Sequence, residues 1–537
     1  MSIARTAADV LCDHVTLELE CVDRMYLNAY VPLLQSAGGT AYYLRTLRGY
    51  PVPSSALLAP MTKDFVAAIK RFVDREGIDL IHFERGERKD DRAQQYLRRW
   101  PGGEGVLFVG VAQEKAHVVR TQRRHDPASD RTYPWLHKST VMVNYYYVYA
   151  VDADFGPFFI KFCSYFPFNA KLCLNGHEYL KQQLTREGIG FEALDNGIRS
   201  CADPLRMQEL ADGLSAERID GLLRKWLARL PHPYRGADRR AGIRYELSIL
   251  QAEFALTQVL DRPVQGRALF ADVIRENLDV GRPDQVQLIF DRRIHKRTPS
   301  RYRTRVITEG VEPSLHIDYK HSRLKQYHKE GRALRTETII NDCYDFGIGR
   351  RLSNLDQLKK LGFSTNRRLL RVQRLSHDCH VGAAAFEALQ KPLVAADTGQ
   401  RTAGLRFGCA RVQALLSALL AFRLLPNGFD NRQLRAYVAP LLGVCVADWS
   451  CGRMTYDLRR LRVHGLIERI AGSRRYRVTD AGIRMALCCQ RTYARVLRPA
   501  LSAVMDAAPP RDSRLKRAMD VFDREVERLW EGVGLAA

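Results

Sequence analysis

Carboxylates are in short supply in this 537-residue chain: 60 Asp and Glu stand against 84 Lys and Arg, a formal net charge of +24. No apolar run reaches the eighteen or so residues that cross a bilayer as a helix. The nearest, 412–425, is interrupted by Arg423 and reads as a buried helix. The first residues run from Arg5 into Asp9, Asp13 and His14, without the apolar stretch of a secretory signal, so the expected location is cytoplasmic. The twelve cysteines lack the paired spacing of a zinc site, so most of them read as reduced core residues. His377 beside Asp378-Cys379-His380 would hold an ion only with ligands from elsewhere. Gly-x-Ser-x-Gly, His-Glu-x-x-His and a phosphate-binding loop are all missing, which excludes the best-marked hydrolase and nucleotidase classes. Gly102-Gly103-Glu104-Gly105 precedes a strand and reads as a turn.

What is present is a 46% hydrophobic chain, enough for a large core, so the excess positive charge must sit on folded surfaces. Such surfaces capture polyanions. Nucleic acid is the first expectation, with DNA ahead of RNA, and an anionic membrane surface is the rival.

The periodicity predicts an α+β multidomain protein. Residues 1–200 read as a mixed α/β domain with an aromatic hairpin. Phe65, Ile69, Phe72 and Val73 form a helical stripe over 62–76. Strands at 79–83 and 105–111 flank a helix at 89–100, which predicts a helical crossover. Residues 120–139 read as a basic, turn-rich spacer. Beyond it, strands 141–151 and 157–165 reverse through Asp152-Ala153-Asp154-Phe155-Gly156. Residues 201–285 read as a helical connector, including a helix capped by Ser215 and another over 244–260. A central antiparallel basic sheet follows at 286–350, then helices at 351–404, a winged helix at 405–490 and C-terminal helices at 491–537. The final charged helix, 513–530, is a candidate seam for a homo-oligomer or a segment that packs on its own domain.

The C-terminal pattern is the best marked. Leu415, Leu416, Leu419 and Phe422 define one helix; Asp430 caps a second; Met454, Leu458 and Leu461 give a third its buried stripe. Two short strands, 467–470 and 474–478, follow around Ala471-Gly472-Ser473. The stretch Leu-Arg-Arg-Leu-Arg-Val-His-Gly-Leu-Ile-Glu-Arg and the Tyr-Arg-Val-Thr-Asp after it resemble the bacterial winged helix-turn-helix pattern over about 410–490. The resemblance identifies a fold. It implies Arg459, Arg460 and Arg462 on a recognition helix, and Arg474, Arg475 and Arg477 on a wing. The competing reading is a winged helix that contacts protein.

In the central sheet, 291–337 holds thirteen Lys and Arg against six acids, interleaved with Tyr302, Tyr319 and Tyr327. Lys320, Arg323, Lys325, Tyr327, Lys329, Arg332 and Arg335 are candidate phosphate and base contacts, joined by Arg367, Arg368, Arg371 and Arg374 on a following helix. A solvated polar sheet face is the alternative. For catalysis, Asp152 and Asp154 alternate on an extended chain and can face one Mg²⁺ or Mn²⁺, with Lys161 across the hairpin and Glu84 and Glu87 as further ligands. That set would make a metal-dependent nuclease of a mobile-element, replication or defence system. Asp-x-Asp-Phe-Gly is equally good turn chemistry, and a non-catalytic DNA-binding regulator or an interaction scaffold are the other readings.

Overall fold

The computed structural model describes residues 13–262 and 303–493, apart from positions 85, 129, 310–311, 330–331, 378–380 and 396–398, with a few isolated positions beyond. The chain forms two compact units, one of residues 14–267 and 287–366, the other built mainly from 367 onward. It is an α+β protein with a large mixed sheet.

The first unit is organised by eleven strands in a single sheet. In chain order these are β1 (Val15–Tyr30), β2 (Asp79–His82), β3 (Gly105–Asp126), β4 (Arg131–Asp152), β5 (Gly156–Cys163) and β6 (Ala170–Asn175). A separate hairpin, β7 (Phe191–Leu194) and β8 (Gly197–Cys201), intervenes before β9 (Glu246–Leu260), β10 (Arg303–Glu309), β11 (Glu312–Tyr319), β12 (Ser322–Lys329) and β13 (Ala333–Ile340). The spatial order is β10-β11-β12-β13-β9-β1-β6-β5-β4-β3-β2. The β2–β3 pair is parallel, joined by the helix Lys89–Leu97, as the strand-helix-strand pattern predicts. The other neighbours within the sheet are antiparallel.

Three sequence expectations change. The segment 244–260 is no helix: it is β9, paired on one side with β1 and on the other with β13. Its last seven residues are all buried. A strand covered on both faces loses the in-out alternation that would mark it, and its leucines then mimic a helical stripe. Second, the basic meander at 303–340 is no separate layer, because β13 joins it to β9 and so to the N-terminal strands. Third, 120–139 is no spacer but the far end of the β3–β4 hairpin, whose register runs unbroken from Phe108↔Tyr149 to Asp126↔Arg131.

Helices cover the sheet where its side chains demand it. Phe65, Ile69, Phe72 and Val73 on Ala59–Glu76 enter a core shared with Ile160, Phe162, Leu172, Leu27 and Phe254. Gly77 then ends that helix at φ 63°. Ala216–Arg229, capped by Ser215, adds Ile219, Leu222, Leu223 and Trp226 to the same core. Gly176–Arg186 and Pro204–Asp212 pack Leu180, Leu184, Met207 and Ala211 against Leu17, Leu19 and Val259. Among the described residues, no helix is long and apolar enough to cross a membrane.

The second unit holds helices Ala410–Phe422, Asn431–Leu441, Cys451–Val463 and Asp480–Thr492, preceded by a two-residue pair, β14 (Leu393–Val394) and β15 (Arg401–Thr402). Between the third and fourth helices lies the hairpin β16 (Ile467–Arg469) and β17 (Tyr476–Val478). A bridge between Phe429 and Tyr476 ties the turn after the first helix to this hairpin. Gly428 permits that approach: it sits at φ 60°, and a Cβ there would lie 2.1 Å from the Tyr476 carbonyl oxygen. Asp430 caps the second helix reciprocally with Gln433, and Ser450 caps the third. The first part of the predicted basic sheet, 286–302 with Tyr302, Asp378-Cys379-His380 and most of the final helix at 513–530 lie outside the described residues.

Candidate nucleic-acid interface and the acidic clusters

The third helix of the C-terminal unit buries Met454, Leu458 and Leu461, the stripe read from sequence. Its opposite side, toward the N-terminus, leaves Arg453, Thr455 and Tyr456 exposed. The Arg453 guanidinium lies over the Trp449 ring, 5.0 Å from its centroid. Arg459 lies beside the Tyr456 ring and donates to the Gln400 side chain. Arg460 faces the other way: it is buried, gives hydrogen bonds to the carbonyls of Ala403 and Gly404, and lies 3.5 Å from Asp457. Arg462 is half-buried.

In the hairpin, Arg474 is exposed at the tip. Arg475 instead turns inward, donating to the carbonyls of Asn427 and Gly428 and to Gln433. Arg477 faces Glu468 at 3.9 Å across the strands. Arg469 is exposed and donates to the Ser473 carbonyl. Of the arginines on the preceding long helix, Leu355–His377, Arg368 is a structural clamp, reaching the backbone carbonyls of Arg423 and Val478. Burial, with Arg477 close by, pushes its guanidinium down to about 10. Arg371 pairs with Asp480, while Arg367 and Arg374 are exposed.

The central sheet residues divide likewise. Arg335 is fully buried, 3.0 Å from Asp23 and 2.9 Å from Glu337, and also donates to the Asn196 carbonyl and meets His177. Burial alone would lower its affinity for a proton, but Asp23 and Glu337 more than reverse this. Tyr327 donates to Glu337 at 2.7 Å, and Lys325 lies over the Tyr327 ring. Arg323 pairs with Asp318 across the strands, and Lys320 donates to the Asp345 carbonyl. Lys329 and Arg332 are half-buried. Arg335, Asp23 and Glu337 thus form a buried network of paired charges, which Tyr327 joins through Glu337.

The acidic candidates fall into separate clusters. Asp152 is 1% exposed. Its Oδ1 accepts the backbone amides of Asp154 and Phe155, and its Oδ2 accepts Lys225 Nζ at 2.7 Å and Trp226 Nε1 at 2.8 Å. Burial pushes its pKa up, yet those donors outweigh it and hold the carboxyl below the usual range. Asp154 turns to Arg186 at 2.8 Å. Lys161 lies elsewhere, giving hydrogen bonds to Glu114 at 2.7 Å and Tyr147 at 3.0 Å. Burial brings its ammonium down to about 8 against the pull of Glu114. Glu87 pairs with Arg92 and accepts the Glu84 amide, a local turn. The turn reading of Asp-x-Asp-Phe-Gly therefore describes how Asp152 is held.

Among the described residues, His321, Asp342 and Asp345 form the group with ligand atoms mutually within 4.8 Å. Asp345 already accepts the His321 amide, His321 Nδ1 and the Ser322 hydroxyl, and Asp342 accepts the Tyr344 amide and Arg350. These bonds account for the grouping as the stitching of a turn.

The chain matches no protein-family model, no curated protein and no solved structure.

Sequence reasoning missed Arg453, Tyr456 and Arg469. The signal was available for Arg453 and Tyr456, which lie off the Met454-Leu458-Leu461 stripe, but not for Arg469, which alternates onto the strand face of buried Ile467.

Proposed function

We propose that this chain is a nucleic-acid-binding protein that engages duplex DNA through its C-terminal unit. The helix-helix-helix-hairpin-helix order, with Phe429 bridged to the hairpin, supports a winged helix-turn-helix reading of residues 410–492. In that reading Cys451–Val463 enters the major groove and the tip around Arg474 meets phosphates or the minor groove. The observation that carries the proposal is the sorting of arginines. Arg460 and Arg475 are drawn inward by carbonyls, while Arg453, Arg469 and Arg474 face solvent on the helix and hairpin a groove would receive. RNA offers the same phosphates but a major groove too narrow for the helix, so DNA is favoured.

Cleavage is not part of the proposal. The Asp152 oxygens are occupied by four protein donors, and Lys161 belongs to another cluster. The reading is a non-catalytic DNA-binding regulator. Its test is fluorescence anisotropy with a labelled duplex: Arg453→Glu should weaken binding at least tenfold, since it replaces a cation beside phosphate with a like charge. Unchanged affinity in a folded Arg453→Glu protein removes the C-terminal helix from the interface.

A further inference from the structure

The β3–β4 hairpin outruns its neighbours. β2 pairs with β3 only over Phe108–Val111, and β5 pairs with β4 only from Tyr145 onward, so the remainder is a two-stranded ribbon. The inner part of the ribbon is held: Val118, Val119 and Leu136 are buried, and Thr121 accepts the Ser55 amide at 2.7 Å. Past Thr121 and Leu136, the described side chains at 122–125 and 132–135 are all exposed. Five residues, Gln122 to Asp126, carry that end roughly 17 Å further at the rise of an extended strand.

The composition of this end is distinctive. The pairing Arg124↔Tyr133, Gln122↔Trp135 and Arg120↔His137 puts Arg120, Arg124, Tyr133 and Trp135 on one face. The Arg124 guanidinium lies over the Trp135 ring at 4.6 Å, and Tyr133 meets Trp135 edge-on at 6.4 Å. Tyr133 and Trp135 are 40% and 42% exposed, whereas Trp226 and Trp449 are buried. Among the described residues, no carboxylate pairs with Arg120, Arg123, Arg124 or Lys138; the nearby Asp130 faces His125 instead. Charge alone explains how a free ribbon avoids edge-to-edge pairing. It gives no reason to hold two large rings in water beside those charges.

We infer that this ribbon is a second nucleic-acid contact, which takes single-stranded segments by stacking bases on Trp135 and Tyr133 while Arg120 and Arg124, on the same face, meet the phosphates. Rings with exposed faces suit unpaired bases, whose π-faces are available in any sequence. Arginine over tryptophan adds a planar cation that stacks as well as pairs. A membrane would call for a contiguous apolar end, and here Arg120, Gln122, Arg124 and His137 share the face of the rings. The inference deepens the nucleic-acid reading and rests on it.

The experiment uses the full chain and three probes: an oligothymidylate of about 20 nucleotides, a duplex, and vesicles of phosphatidylcholine with phosphatidylserine. Oligothymidylate should quench tryptophan fluorescence of the wild type. Trp135→Ala and Arg124→Glu should each weaken its binding, by about fivefold to a hundredfold for the loss of a stacking ring. Duplex affinity should move less than twofold in both variants, while Arg474→Glu should show the converse pattern. Both ribbon substitutions are at exposed positions, and an unchanged thermal unfolding profile verifies the fold. Undiminished oligothymidylate binding by both variants overturns the inference, as does a ribbon-dependent affinity for vesicles without one for oligothymidylate. Duplex binding without oligothymidylate binding likewise rejects the ribbon contact alone. If the wild type binds neither nucleic acid, the proposed function fails with it.

Discussion

Replacing Arg335 with Met should destabilise the first unit by about 3–5 kcal/mol and leave the DNA affinity of the folded protein unchanged. Arg335 lies 3.0 Å from Asp23 and 2.9 Å from Glu337, and these acids are only 4% and 5% exposed. At an effective dielectric constant of about 20, a pair at that separation attracts by about 5 kcal/mol, much of it offset by desolvation of the ions. Methionine fills similar space but leaves two carboxylates buried together without a cation. Glu337, whose pKa burial already raises, would then take up a proton, so the loss should shrink as pH falls toward 5. Thermal unfolding should show a drop of roughly 6–20 °C at pH 7.5, with Glu337→Gln partly restoring the Arg335→Met protein. A variant that melts with the wild type but binds DNA tenfold more weakly would refute this reasoning, and return Arg335 to the phosphate-contacting role its sequence context suggests.

Three further outcomes follow from particular side chains. Gly428→Ala should cost the C-terminal unit about 2–5 kcal/mol, because a left-handed residue then carries a Cβ driven against the Tyr476 carbonyl; chemical denaturation followed in this unit checks it. Burial, with Asp23 nearby, raises the Glu253 carboxyl to about 7, so its folded form holds a proton that the unfolded chain loses above about 4.5. Wild-type stability therefore falls through that window, and Glu253→Gln should match wild type near pH 5 yet exceed it by about 1–3 kcal/mol near pH 8. His177, pushed down to about 3 by burial, gives the opposite slope below pH 6.5, so variant and wild type are compared at each pH. Asp152→Ala strips the acceptor from Lys225, Trp226 and two turn amides and should cost about 3–5 kcal/mol, read by urea unfolding; full stability together with a lost Mg²⁺-dependent cleavage would support a catalytic role instead.

How much of this was legible in the sequence depended on burial. The helix at Ala59–Glu76 and the third C-terminal helix each bury one stripe and keep the rest wet, so their periods survive in the sequence; the aromatic hairpin is buried on both faces and is legible instead from its density of Tyr, Phe and Val between turn residues. β9 lies mid-sheet under cover on both sides, and β1 beside it passed unnoticed. Local composition also cannot say which cation faces inward. Arg335 and Lys325 alternate with similar neighbours, yet one is enclosed by Asp23, separated from it by more than 300 residues of chain, and the other lies half-open over Tyr327. Within the C-terminal helix Arg459 and Arg460 are adjacent, and the 100° step between them sends only the second to the Ala403 and Gly404 carbonyls. The ribbon end was hidden differently: Arg120-Thr121-Gln122-Arg123-Arg124-His125 carries no apolar period and so reads as a loop.

The central claim is that outward-facing guanidinium groups of the C-terminal unit neutralise DNA phosphates, and the salt dependence of duplex affinity measures it most directly. Wild-type log affinity should fall linearly with log salt concentration, and Arg453→Glu with Arg474→Glu should flatten that slope by about 2, near 0.9 for each lost phosphate contact. A slope identical in wild type and double variant would contradict the account, whatever the affinity at any single salt concentration.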